Sequence, residues 1–206
     1  MPDPRPIAIP SDQNEELLDL VFRNAHTYYR FSNREVPDAL LRDIYEATKF
    51  GPTSGNGSPM RVVFVKSPEA KARLMPGIKA GNVPKVESAP VVAIFGLDLD
   101  FARHFDRLSP HDATEKIATY QADEALNYRA SFRNATLQAA YFMIGARAMG
   151  LHCGPMSGFH HDIVDEIFFA GTAVKSNFLM NIGYGLEQSV RPRAFRFAFD
   201  EVCQIA

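Results

Sequence analysis

Residues 37–65 read PDALLRDIYEATKFGPTSGNGSPMRVVFV, a helix, a loop and a strand in direct succession. Leu40, Leu41, Ile44, Tyr45, Ala47 and Thr48 recur on one helical face, Pro37 suits the first turn, and Gly51-Pro52 supplies the stop. Gly51 to Pro59 holds three Gly, two Pro and one Asn, a composition that fits only loop or turn. Arg61 to Val65 follows directly as a strand.

Working outward, Asp12 to Thr27 predicts a first helix, with Leu17, Leu18, Leu20, Val21 and Ala25 at helical spacing. Before it, residues 1–11 read as an arm. Met1 to Pro10 is proline-rich and lacks the basic, apolar, small-residue order of a secretory signal, so the sequence points to the cytoplasm. Downstream we expect a short helix from Pro68 to Leu74, a loop GIKAGNVPK, and a buried strand from Ala89 to Leu97. Asp98 to Tyr120 is mixed in charge and weakly periodic, as a functional lid would be. Ala122 to Met149, closed by Gly150, predicts a long central helix. A loop HCGPMSG, a helix from Asp162 to Phe169, a strand from Phe178 to Tyr184 and the tail RPRAFRFAFDEV complete the chain. Strands and helices without regular βαβ alternation, and without Gly-x-Gly-x-x-Gly after a strand, argue for an α+β class over residues 1–206 as one domain, and against a Rossmann fold.

At 206 residues the chain can bury roughly 70% of its unfolded surface without staples. Lys and Arg number 22 against 24 Asp and Glu, a net charge of −2, which leaves no excess of base for nucleic acid. Apolar runs such as Ala89 to Leu97 reach about half the roughly 20 residues that cross a bilayer, so no membrane partner is expected. Cys153 and Cys203, outside any CxxC, support neither a disulfide scaffold nor a thiolate zinc site. Adjacent His160 and His161 point to different sides of a helix start with no third ligand at i+4, so no metal is expected.

Four segments could bring backbone amides or cations to a ligand: Gly51 to Pro59, Gly81 to Lys85, Gly154 to Gly158, and Arg191-Pro192-Arg193 with Arg196. Singly, each reads as an ordinary turn. Together they suggest a site for an anion or a heteroaromatic ring. His111, in Ser109-Pro110-His111, is a candidate donor to a substrate carbonyl.

The segment from Phe31 to Pro59, with its GPTSxNxSP loop, resembles the flavin-binding signature of nitroreductase-like FMN oxidoreductases. GPTSxNxSP, the GNxxK loop, FRNxxxQAAY from Phe132 to Tyr141, GLxxGPMSGF, and KSNxLxNIGYG from Lys175 to Gly185 are similar to the malonic semialdehyde reductase branch of that family. The resemblance runs from about residue 15 to the end. It implies a dimeric fold with a central mixed, mainly antiparallel sheet flanked by helices, and FMN at the subunit interface with NADH or NADPH as co-substrate.

Position by position, the resemblance places His26 and Thr27, with Tyr28 and Tyr29 beyond, where the family holds the FMN phosphate. The usual arginine is missing, so either His26 contacts the phosphate or Arg193 and Arg196 carry that charge. Pro52, Thr53, Ser54 and Asn56 match the loop around the flavin ring and ribityl chain, reaching across the interface. Asn82 and Lys85 match the pair beside the flavin pyrimidine, where a fixed cation stabilises the reduced ring. Pro155, Met156, Ser157 and Gly158 match the loop over the N5 edge. The implied catalytic set is Ser157, Lys85 and His111. Ser58, Met60 and Ser157 stand where many relatives carry Gln, Trp and Glu, and Arg129 or Arg133 could grip a carboxylate. The implied reaction is reduction of a small oxo acid, malonic semialdehyde, to 3-hydroxypropanoate. Alternatives are a general nitro or quinone reductase, or a flavin-binding protein without a reductase role.

Overall fold

The computed structural model describes residues 11–206. The expected arm over residues 1–11 lies outside the described residues except for Ser11, which opens α1 (Ser11–Leu18). A π-helical turn, Asp19–Arg23, continues it, so the first helix stops four residues short of Thr27. Thr27 instead bridges Cys153 in parallel, and Tyr28 N–H donates to the Cys153 carbonyl at 3.3 Å. Sheet pairing thus outcompetes helix propensity here.

Next come α2 (Asp38–Thr48), capped by Pro37 in extended conformation, β1 (Met60–Val65) and α3 (Pro68–Leu74). Ser67 Oγ accepts from Ala70 N–H at 3.1 Å and satisfies one free donor at the start of α3. The expected loop over 77–85 is half helical: a turn at Ala80–Asn82 leads into α4 (Val83–Ser88). Pro84, readable as a breaker, sits in the first turn of α4, where no amide donor is needed.

β2 (Val91–Asp98) is buried at every residue. The expected lid over 98–120 folds into a packed helical cap, with α5 (Phe105–Leu108) and α6 (Ala113–Ala122). Phe101 and Phe105 bury themselves with Ala130 of α7 (Glu124–Ala148) and give the cap a small core of its own. Asp123 Oδ1 accepts from Leu126 N–H at 2.9 Å and starts α7.

The expected loop HCGPMSG is, over its first five residues, the strand β3 (His152–Met156). Pro155 is compatible with a strand because β3 lies at the sheet edge. After α8 (His161–Phe168), β4 (Val174–Gly183) begins four residues earlier than Phe178. The sheet order is β1-β2-β4-β3, antiparallel at every pairing, with the Thr27–Cys153 bridge as a parallel addition. A short α9 (Phe199–Val202) ends the tail.

The sheet separates two cores. On one face Val92, Ile94 and Leu179 pack with Leu74, Val86 and Val164; on the other Val91, Ala93, Phe95 and Ile182 pack with Ile44, Ala139 and Phe142. Truncating a ring as buried as Phe142 typically costs about 3–5 kcal/mol. The result is an α+β architecture with helices on both faces of the sheet. No helix among the described residues is long and apolar enough to cross a membrane.

Candidate functional site

Residues 27–32 run between the start of β3 and the chain leaving β4. Ser32 N–H donates to the Tyr184 carbonyl at 2.9 Å, and Leu186 N–H to the Arg30 carbonyl at 3.0 Å. In this extended stretch neighbouring side chains alternate in direction. Tyr28 is buried against His152, while Tyr29 takes Lys85 Nζ at 4.3 Å and the Arg191 guanidinium at 4.5 Å from its ring centre.

Two adjoining clefts open there. The first, about 550 Å³, is lined by His26, Thr27, Tyr29, Arg191, Arg193 and Arg196 among others. Arg193 Nη2 donates to the carbonyls of Arg23 at 2.6 Å and Ala25 at 3.1 Å, and stands 3.2 Å from His26 Nε2. The second, about 480 Å³, shares Tyr29 and Arg191 and adds Arg30, Gly81 and Lys85.

Lys85 Nζ donates to Asn82 Oδ1 at 2.8 Å, and Asn82 Nδ2 donates to the Gly158 carbonyl at 2.9 Å. A methyl group on Gly158 would lie 2.5 Å from Asn82 Nδ2, so this close approach needs glycine. Burial, and then the positive charges of Arg191 and Arg30, pull the Lys85 pKa below its ordinary value. Cations gathered in this way favour an anionic ligand. Pro155 and Met156, in β3, lead into exposed Ser157 and then Gly158, joining the N5-edge candidates to Lys85 through Asn82.

The remaining candidates form a second group. Tyr141 Oη donates to the Pro52 carbonyl at 3.1 Å, Ser58 N–H to Thr53 Oγ1 at 3.3 Å, and Ser54 N–H to Asn134 Oδ1 at 2.8 Å. Asn56, held at φ 57°, sends Nδ2 to the Leu108 carbonyl at 2.8 Å. His111, exposed in the helical cap, lies 3.5 Å from Asp112 Oδ2, which also pairs with Lys116. Pro52, Thr53, Ser54, Asn56 and His111 are therefore anchored to α7 and its cap, while the first group is anchored to β3, α4 and the tail.

Sequence reasoning did not single out Arg30, and it named Arg191 and Tyr29 only alongside Arg193 and Tyr28, without a role of their own. A role for Arg191 was readable from its place beside Arg193, since residues two apart on an extended chain share a side. Tyr29 carries no such signal, because its role depends on two cations that arrive from other elements. Of the two cysteines, Cys153 is buried and its thiol is pushed up to about 12, which leaves it unreactive. His161 turns Nδ1 towards the carbonyl and Oγ of Ser176, 3.0 Å from each.

The family model described as "Nitroreductase family" matches residues 22–184. A provisionally named NADH dehydrogenase/NAD(P)H nitroreductase of Burkholderia lata is 48% identical over 192 residues, covering 93% of this chain and 97% of that protein. Among solved structures, a provisionally named nitroreductase of Bacillus subtilis superposes with a TM-score of 0.84 at 22% identity, over 94% of this chain and 100% of its own. Another, from Exiguobacterium sibiricum and solved in complex with FMN, gives 0.80 at 19% identity over 92% and 97%. With most of its length matched by the family model and by a close relative, the chain belongs to the nitroreductase family.

Proposed function

We propose that the chain is an FMN-dependent NAD(P)H oxidoreductase acting on small molecules. The observation that carries this reading is the pair of adjoining clefts walled by Lys85, Arg191, Arg193 and His26 around the Tyr29 ring. A phosphate at one end and an electron-accepting ring at the other fit that charge. His26, Thr27, Arg193 and Arg196, with Arg191, would hold the phosphate, with arginine forks matching its oxygens. Asn82, Lys85 and the segment from Pro155 to Gly158 at the end of β3 would hold the ring. FMN, when bound, supplies hydride exchange between NADH or NADPH and the substrate. Lys85 then offsets the negative charge of the reduced state, and Asn82 fixes where that cation stands.

The second group of residues completes the site from another copy of the chain. In a two-fold homodimer, Pro52, Thr53, Ser54, Asn56 and His111 of one subunit would face the cationic clefts of the other. Exposed Tyr128 and Phe132 on α7, and Phe195, Phe197 and Phe199 on the tail, are the apolar surface such a dimer would cover. We place the enzyme in the cytoplasm.

For the substrate we favour a small anionic aldehyde, malonic semialdehyde, reduced to 3-hydroxypropanoate. Support comes from the five motifs shared with that branch and from the arginines Arg103, Arg107, Arg129 and Arg133 on the cap and α7. The name of the Burkholderia lata relative favours the second reading, a general nitro or quinone reductase. Anaerobic reduction followed by reoxidation separates them. Malonic semialdehyde should reoxidise the enzyme with a higher kcat/KM than propanal, menadione or nitrofurazone. Equal rates for malonic semialdehyde and propanal refute a carboxylate grip, and preference for nitrofurazone gives the function to the second reading.

A further inference from the structure

His152, the first residue of β3, lies flat on the Tyr28 ring, with centroids 4.1 Å apart and planes at 12°. The Gly185 backbone passes so near Tyr28 that a methyl group at Gly185 would overlap the ring carbons. Gly185 N–H also donates to His152 Nδ1 at 2.8 Å. His152, Tyr28 and Gly185 therefore form a closed clasp. Tyr28 directly precedes Tyr29 and follows His26 and Thr27, while Gly185 opens the segment that carries Arg191 and Arg193. The clasp joins the two segments whose side chains line the cationic clefts.

An imidazole accepts a hydrogen bond at Nδ1 only when that nitrogen carries no proton. Protonation would set a second N–H against the Gly185 amide, and the bond would be lost. The charged groups around His152 come from several elements. Glu187, in the turn after Gly185, attracts a proton to it, and Glu16, Asp19, Arg147 and His26 share with it a cleft of about 390 Å³. Desolvation outweighs Glu187 and pulls the His152 pKa below its ordinary 6.5.

We propose that His152 is a positioning residue for the anion cradle: its neutral Nδ1 holds the Gly185 amide and its ring pins Tyr28, so that His26 and Tyr29 stay in register with Arg191 and Arg193. The inference rests on the FMN reading and adds a pH dependence to it. The cradle is assembled at neutral pH and loosens on acidification. Stability moves the same way, because the unfolded chain takes up a proton near 6.5 that the folded chain resists; this contribution is present above that value and is lost as pH falls towards the lower, folded pKa.

The test is FMN affinity, read by quenching of flavin fluorescence between about pH 5 and 8, the range in which an imidazole titrates. Three full-length proteins are compared: wild type, His152→Asn and His152→Phe. Asn keeps an acceptor near the Nδ1 position but does not titrate, while Phe keeps the stack and removes the acceptor. At neutral pH, His152→Phe should bind FMN about three- to tenfold more weakly than wild type, the size of one hydrogen bond, and His152→Asn, which keeps the acceptor but loses the stack, more weakly than wild type by a smaller factor. On acidification wild type should weaken relative to His152→Asn by a similar factor. Effects of pH that are common to both proteins cancel in that ratio. Parallel pH curves for wild type and His152→Asn, or unweakened binding by His152→Phe, overturn the inference alone. Absence of FMN binding by wild type at every pH overturns the flavin reading beneath it.

Discussion

Arg193 Nη2 stands 3.2 Å from His26 Nε2 and donates to the carbonyls of Arg23 and Ala25, so the C-terminal tail is tied to the end of the first helical segment. The tail thus brings a cation beside the place where His26 stands instead of the arginine that the resemblance leads one to expect. Arg196, by contrast, turns its guanidinium to its own neighbours, the Ala194 and Phe195 carbonyls. Arg193→Ala should therefore weaken FMN binding by about 1.5–3 kcal/mol, roughly 10- to 150-fold, and Arg196→Ala by less. Isothermal titration of both variants decides the order, and equal losses would reject it.

Lys85→Ala should lower the reduction potential of bound FMN more than it lowers affinity. The reason is selectivity for the reduced, more negative state, which a cation favours and a methyl group does not. Equilibration against redox dyes reads the potential. An unchanged potential would remove Lys85 from the role assigned to it.

Gly158→Ala places a carbon 2.5 Å from Asn82 Nδ2 and should displace Asn82, and with it Lys85. Flavin binding should fall while the cores stay intact. Gly185→Ala drives a methyl group into the buried Tyr28 ring and should destabilise the fold itself, by about 1–3 kcal/mol for an overpacked interior. Urea unfolding of the two proteins separates the effects. A Gly185→Ala midpoint equal to wild type would contradict the packing.

Elements with strong periodicity were legible: α2, α3, α7 and the fully apolar β2 fall within a few residues of their expected ends. What stayed hidden was β3, because HCGPM shows no alternation and its Gly and Pro read as a turn; the strand exists because β4 offers it an edge to pair with. α4 was hidden for a related reason, since Pro84 both stops and starts helices. In the candidate site, a motif marked Asn82, Lys85 and Gly158, which the structure joins by hydrogen bonds, whereas the stacking of Tyr29 between Lys85 and Arg191 depends on long-range packing that no local pattern shows.

Cys203 is exposed and Cys153 is buried with its thiol raised to about 12. At mildly alkaline pH a disulfide reagent should label one thiol per native chain quickly and the second only on unfolding. Two fast thiols would mean that β3 opens readily.

If each site is shared between subunits, Arg193→Ala and Asn56→Ala should complement. Subunits of the two variants, mixed and allowed to exchange, should regain about a quarter of the wild-type sites, since half of the dimers are mixed and each mixed dimer has one intact site of two. No regain despite exchange would place Asn56 outside the site.

The most direct test of the central claim is anaerobic titration of the purified, FMN-reconstituted protein with NADH and NADPH. One FMN per chain, released on denaturation and identified by chromatography, with its visible absorbance bleached by at least one of the two nucleotides, is the result this account predicts. A chain that retains no FMN, or one whose FMN neither nucleotide bleaches, would contradict it.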